Sequence, residues 1–304
     1  MKAIQIHSYG NSNELKLEEV PSPSIRSNEA LVRVHAAGVN PFDWKVREGW
    51  FKDWIPATFP LTLGVDYAGD IVQVGQEIRD FKVGDNVFGF ASGTYSEFAA
   101  VPEKDLVRIP KTIDYETAVS LPTPGVTAYQ LVLNAVHATK GTRILIHGAA
   151  GSVGSLAVQL ARMQGAQVFA TASGRDAEYL KGLGVEQVID YRTERFDQKL
   201  KDLDAVIDLI GGETLSRSYA VVKPGGIVVT TTGSRVPAEP EKKIRVLDFA
   251  AERDASQVAH LARLVDQGVI KPRVGRVLPL AEARQAQDLS QKGSTGGKIV
   301  LRVA

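Results

Sequence analysis

The stretch RILIHGAAGSVGSLAVQLARMQG (143–165) constrains the fold of this chain more than any other. An apolar run ends in glycines and is followed at once by apolar residues at helical spacing, closed by Gly165. The strand and helix rhythm continues downstream. QVFATAS (167–173), EQVIDY (186–191), DAVIDLIG (204–211) and GGIVVTTTG (225–233) read as strands, and DAEYLKGLG (176–184) as a helix between two of them. Strands alternating with helices imply βαβ units and a parallel, doubly wound sheet, so the fold class is α/β. Before residue 120 the rhythm differs. KAIQIH (2–7), EALVRVHAAGV (29–39), YAGDIVQVG (67–75), DNVFGFA (85–91) and YSEFAAV (95–101) are short segments of alternating polarity, punctuated by Gly, Pro, Asn and Asp. They read as half-buried strands. The tail opens with an amphipathic helix, DASQVAHLARLVDQG (254–268). GRVLPL, EARQAQDLSQKG and GKIVLRV then read as strand, helix and closing strand.

Composition removes several function classes. With 36 basic and 35 acidic residues, the chain offers no excess charge for tracking nucleic acid. It has no cysteine, which excludes disulfides, thiolate nucleophiles and cysteine-bound metals. No run approaches the roughly 18 apolar residues of a membrane span. The start MKAIQIHSYGNSNELKLEEV lacks a signal-peptide core, so the expected compartment is the cytoplasm. The expected partner is a small molecule, with neither nucleic acid nor a membrane involved.

The turn HGAAGSVG (147–154) has the context of a dinucleotide-binding loop, after a strand and opening a helix. Gly148 serves the turn, Ala149 holds the usual first-glycine position, and Gly151 lets backbone approach a pyrophosphate. Gly154 lets the helix pack closely, while Ser152 and Val153 contribute N–H groups at the helix start. The next strand ends Thr171-Ala172-Ser173-Gly174-Arg175 without a carboxylate at its tip. Hydroxyl plus guanidinium suits a 2′-phosphate, so NADPH is expected over NADH. Two rival classes share these residues. One is a non-catalytic NADPH-binding protein. The other is a serine hydrolase using Ser152 with Asp208 and His260, although the first elbow glycine is missing.

Several stretches together resemble the medium-chain dehydrogenase/reductase superfamily, in its zinc-free branch of quinone oxidoreductases (ζ-crystallin-like) and enone reductases. They are AAGVNPFDWKVREG (36–49), PLTLGVDYAGDIVQVG (60–75), FKVGDNVFG (81–89), LPTPGVTAYQ (121–130), HGAAGSVGSLAVQLA (147–161) and GKIVLRV (297–303). The resemblance implies a GroES-like, β-rich catalytic domain from 1–120 and 263–304, interrupted by a Rossmann NADPH-binding domain at 121–262. It places the active site between the two. It also implies a homodimer, or a tetramer, pairing through an edge strand at IRVLDF (244–249). Zinc-dependent relatives need Cys and His-Glu where this chain has Asn40 and Val65-Asp66, so no metal is expected at that place.

The implied reaction is hydride transfer to a quinone or an α,β-unsaturated carbonyl. Negative charge then builds on substrate oxygen, and donors aimed at it would carry the catalysis. Lys45, Asn40 and Asp43 are the candidates. Lys45 is expected to act on the developing oxyanion or on the nicotinamide ribose, against the plainer reading of a surface lysine in a turn. Asp43 reads equally well as a loop-capping acid. The resemblance adds Thr127 near the nicotinamide, Tyr191 near the adenosine phosphate, and Lys292 toward the 2′-phosphate; Thr232-Gly233, ending a strand at the carboxyl edge of the sheet, should border the nicotinamide. Trp44, Trp50, Phe51 and Trp54 form either an apolar mouth for a planar substrate or an ordinary core cluster. The histidines show no metal spacing and read as structural.

Overall fold

The structure, a computed structural model, describes residues 1–54, 56–233, 243–293 and 295–303. The chain divides into two compact units, Met1–Thr123 with Arg253–Ala304, and Pro124–Glu252. The first unit opens with β1 (Lys2–Ile6), β2 (Lys16–Glu19), β3 (Glu29–Val39), α1 (Pro41–Arg47), β4 (Leu61–Thr62), β5 (Asp66–Val74), β6 (Asn86–Phe90), β7 (Phe98–Pro102), β8 (Leu106–Arg108) and α2 (Tyr115–Val119). Helix α3 (Pro122–Tyr129) leads to β9 (Arg143–His147), α4 (Ser152–Met163), β10 (Gln167–Ala172), α5 (Ala177–Gly182), β11 (Gln187–Asp190), α6 (Phe196–Lys199), β12 (Leu203–Asp208), α7 (Gly212–Ser218), β13 (Val222–Thr230) and β14 (Arg245–Asp248). The chain then returns to the first unit with α8 (Ala255–Asp266), β15 (Val274–Pro279), α9 (Ala283–Lys292) and β16 (Lys298–Arg302).

In the first unit, β2, β1 and β4 form a small antiparallel sheet. A larger one has the order β15-β16-β3-β5-β6-β8, with β7 also on β3. Strand β3 is its centre, because its alternating Ala30, Val32 and Val34 face a core with Tyr67, Ile71, Val87 and Leu301. Register assembles a polar cluster at one end of β3. Gly38 lies opposite Asp66 on β5 and opposite Val300 on β16, which brings Asn40, Asp66 and Lys298 to one spot.

The second unit is a wholly parallel sheet of order β11-β10-β9-β12-β13-β14. Its inner strands have apolar middles, as in Ile144-Leu145-Ile146 and Ala205-Val206-Ile207, because both faces are covered. The order reverses at β9, since β10 pairs on one side and β12 on the other. A crevice for ligands at the carboxyl ends of strands forms at such a reversal. Strand β14 is one of its two edge strands, within the IRVLDF segment expected at an edge.

The expected boundaries of 120/121 and 262/263 compare with divisions at 123/124 and 252/253. The second differs because α8 packs Val258, Leu261 and Ala262 inward and contacts β6 and β8 of the first unit. No helix among the described residues is long and apolar enough to cross a membrane.

One close approach controls how α4 meets β9. A Cβ on Gly154 would lie 2.3 Å from the Gly148 carbonyl oxygen and 2.7 Å from Ala149 Cα. Backbone cannot give way as a side chain can. Gly154→Ala is therefore expected to destabilise the protein by about 1–3 kcal/mol. Urea unfolding should show a lower midpoint with an unchanged slope; an unchanged midpoint would refute the constraint.

Candidate functional site

The turn after β9 is shaped by its glycines. Gly148 adopts φ of 70°, a conformation open to glycine and strained for other residues. The Gly151 N–H closes the turn onto the Gly148 carbonyl at 3.0 Å. Gly151 is the N-cap of α4; among the described residues no side chain caps the helix there, and its first turn holds no acidic residue. A twelve-residue helix thus presents its first N–H groups and its positive dipole end at the carboxyl edge of the sheet. Among the described residues a Cβ built on Gly151 would meet just the Gly148 carbonyl oxygen, at 3.3 Å, so the backbone is open at this point. Gly148, Ala149, Gly151, Ser152, Val153 and Gly154 are brought together as the sequence implies.

The tip of β10 holds more than its own residues suggest. Ser173 Oγ donates to Asp176 Oδ2 at 2.7 Å, and Arg175 Nε donates to the same oxygen at 3.3 Å. The Asp176 carboxylate is buried, whereas the Arg175 side chain is 55% exposed. Asp190, at the end of β11, approaches the space a Gly174 Cβ would fill, to 2.7 Å. Strand β10 itself ends without a carboxylate, but two come to its tip from neighbouring segments. Tyr191 is exposed beside Arg192. At the end of β13, the Thr230 and Thr232 hydroxyls are hydrogen-bonded at 2.9 Å, and the Gly233 N–H donates to Asp248 Oδ1 at 3.3 Å. Thr127 lies on α3, half-buried.

The first unit holds a different arrangement. Lys298 Nζ is buried and donates to Asn40 Oδ1 at 2.6 Å and to Asp66 Oδ2 at 2.8 Å. Asn40 Nδ2 donates to the same Asp66 oxygen at 2.8 Å. The other Asp66 oxygen accepts from the Thr123 hydroxyl at 2.6 Å and the Thr123 N–H at 3.2 Å. Asn40 is thus engaged at both ends of its amide. It is not presented to substrate as the donor that the sequence suggests. Asp43 accepts from the Asn40 N–H at 2.7 Å and from the Tyr95 hydroxyl at 2.8 Å, which is the capping role that the sequence leaves open. Lys298 joins the site without being singled out by the sequence. Its one signal there is a lysine opening a strand whose next three residues are apolar.

Asn40 to Lys45 do not form a plain turn. Pro41 at N1 and the Asp43 cap set up the short helix α1. The Lys45 ammonium lies 5.8 Å from the Trp44 ring centroid and 5.4 Å from that of Trp50. These two indoles meet edge to face at 5.3 Å. Trp50 and Trp54 are largely exposed, and Phe51 packs on Phe42. Lys292 is exposed at the last turn of α9, in the first unit.

Asp208, the acid of the hydrolase reading, is engaged by backbone. Both Asp208 oxygens accept from the Gly211 N–H, and one also from that of Ile210. His147 is buried, with Nε2 at 3.1 Å from Ser218 Oγ and Nδ1 at 2.8 Å from Thr171 Oγ1. Ser218 directs its own hydrogen to the Thr214 carbonyl, so the ring is the Nε2–H tautomer and Nδ1 accepts from Thr171. Burial, with the Arg217 charge adding to it, pushes its pKa down to about 3. His147 is a neutral structural group. Among the described residues no three His, Asp or Glu side chains gather as metal ligands.

Comparison with known proteins matches residues 26–111 to the alcohol dehydrogenase GroES-like domain and residues 183–301 to the zinc-binding dehydrogenase family. A chloroplast envelope quinone oxidoreductase homolog of Arabidopsis thaliana is 31% identical, over 99% of this chain and 98% of that protein. A 2-methylene-furan-3-one reductase of Solanum lycopersicum is 33% identical, over 99% of this chain and 79% of that protein. The structure of Escherichia coli quinone oxidoreductase complexed with NADPH is 26% identical, with a TM-score of 0.91 and all of both chains covered.

Asp43 makes the site sensitive to pH. Burial pushes its pKa up to about 7, against the pull of the Asn40 and Tyr95 donors; Asp66 adds to the rise and Lys298 opposes it. Between the ordinary value near 3.8 and about 7, the folded state holds a proton that the unfolded chain releases. This group's contribution to stability is therefore present at low pH and is lost as pH rises toward 7. Asp43→Asn keeps an acceptor for both donors and removes the titration. Across pH 4 to 7, its stability relative to the parent should rise steadily in chemical denaturation. A flat difference would mean that Asp43 carries no buried proton.

Proposed function

This chain belongs to the medium-chain dehydrogenase/reductase superfamily, in the branch of the quinone oxidoreductases, and we propose that it transfers hydride from NADPH to a quinone or an α,β-unsaturated carbonyl. The observation that carries the reading is the uncapped start of α4 at Gly148–Gly154, a backbone cradle for a diphosphate. When bound, the reduced nicotinamide supplies the hydride. The chain's residues bind and orient it. Gly151, Ser152, Val153 and Gly154 hold the diphosphate, Thr232 and Gly233 border the ring with Thr127, and Tyr191 lies toward the adenosine.

Ser173 and Arg175 are the proposed 2′-phosphate ligands. They are tied together through Asp176, which orders the hydroxyl and guanidinium before any anion arrives. The exposure of Arg175 above a buried carboxylate favours NADPH, as does the likeness to a structure that holds it. Lys292 is a weaker candidate for the same charge. Lys45, held over two indoles, is the proposed donor to substrate oxygen or to the ribose, and the indoles supply an apolar surface for a planar substrate. Pairing of two copies at β14 is the proposed route to a homodimer.

The test is steady coenzyme oxidation across a panel of quinones and enones. Turnover with NADPH supports the reading; binding without turnover on any acceptor would favour a non-catalytic NADPH-binding protein. Arg175→Ala is expected to raise KM for NADPH about tenfold, the loss of one charge-assisted contact, and to leave KM for NADH unchanged. A wild-type preference for NADH would overturn the coenzyme choice. Ser152→Ala should retain the reductase activity.

A further inference from the structure

The polar cluster under α1 has a cation at its centre, and three parts of the chain meet on it. Lys298 comes from β16, Asn40 is the N-cap of α1, and Asp66 opens β5. Both charged groups are buried, with 1% and 0% of their side chains exposed. Space for the lysine is made by Gly38, where a Cβ would lie 2.8 Å from Lys298 Cε and 3.0 Å from Asp66 Cβ. Only a cation or another donor can face Asn40 Oδ1 at 2.6 Å, so Lys298 decides which way the amide points, and Asn40 Nδ2 then turns to Asp66.

Helix α1 is only seven residues long and has little stability of its own. Its far end is tied by buried Arg47, whose Nε donates to Gln287 Oε1 and Nη1 to the Gly10 carbonyl, both at 2.7 Å. Its third residue is held through Asp43 and Tyr95. Its N-cap, Asn40, is held through Lys298 and Asp66. Lys45 stands one turn from that end, over Trp44 and Trp50.

We propose that Lys298 is a positioning residue, whose buried ammonium fixes the Asn40 N-cap and through it the placement of α1 and Lys45. The claim deepens the reductase reading and rests on it for its kinetic consequence. It goes beyond charge neutralisation, because a residue that only neutralised Asp66 would be dispensable once Asp66 carried no charge.

Two variants separate these roles. Lys298→Met strands the Asp66 carboxylate and should lower the melting temperature and kcat together. Adding Asp66→Asn removes the stranded charge, and the melting temperature should recover. If Lys298 positions α1, kcat of the double variant stays at least tenfold below the parent, with KM for NADPH within about threefold. A smaller loss overturns the proposal. The three tryptophans of the chain, Trp44, Trp50 and Trp54, all lie on or just after α1, so intrinsic emission reports its placement without any turnover. The double variant should show a shifted emission maximum and altered acrylamide quenching; parental emission overturns the proposal whatever the kinetics. A parent protein inactive on every acceptor would instead refute the reductase reading, and the emission test would still decide the role of Lys298. If the methionine variants do not accumulate, Lys298→Arg keeps the charge with a different reach. A tenfold loss of kcat and a shifted emission at an unchanged melting temperature support positioning, and parental values of both overturn it.

Discussion

A missing methyl group organises the second unit. Because Gly154 has no Cβ, α4 can begin directly against the end of β9, with its backbone touching that of Gly148 and Ala149. The helix then aims its uncapped N–H groups at the carboxyl edge of the sheet. Strands β10, β12 and β13 end at the same edge, carrying Ser173, Asp208 and Thr230 onward to Gly233. Parallel pairing makes this unavoidable: every strand that starts at one end finishes at the other, so the residues after each strand are gathered in space although dispersed in sequence.

The first unit follows another logic. It takes Lys298, Asp43, Asp66, Arg47 and Tyr95 out of water. Such groups are tolerated only where hydrogen bonds replace hydration nearly in full. Lys298 and Asp66 meet that condition through Asn40 and Thr123, and Arg47 meets it through Gln287 and Gly10. Asp43 meets it less completely, because its second oxygen has no hydrogen-bond partner among the described residues. Burial accordingly drives that carboxyl toward its neutral form.

Much of this is legible in the chain itself. The β9–turn–α4 segment is marked by period and by glycine spacing, and the structure carries it as its pattern implies. The segment Asn40–Lys45 reads as a loop because Asn, Pro and Asp are turn formers. It is helical because those residues also make an N-terminal cap, with Asp43 reaching back to the Asn40 N–H. The tip of β10 reads as free of carboxylates from its own residues, whereas Asp176 and Asp190 arrive from the next helix and the next strand. Helix α8 is recognisable as amphipathic, but its pattern does not name the surface it covers, and that surface is β6 and β8.

The sequence by itself determined the two regimes, their main strands and helices, the parallel sheet and the glycine turn. Each of these is encoded by residues close along the chain, through side-chain period, capping and the conformational range of glycine. Tertiary structure alone decided the polar centre beneath α1. Lys298 meets Asp66 and Asn40 across 232 and 258 residues of chain. The meeting depends on the register of β16 against β3 and of β3 against β5. A local pattern specifies which face of a strand is buried, but not which residue of a distant strand lies opposite, and a buried charge persists only where that partner is in place.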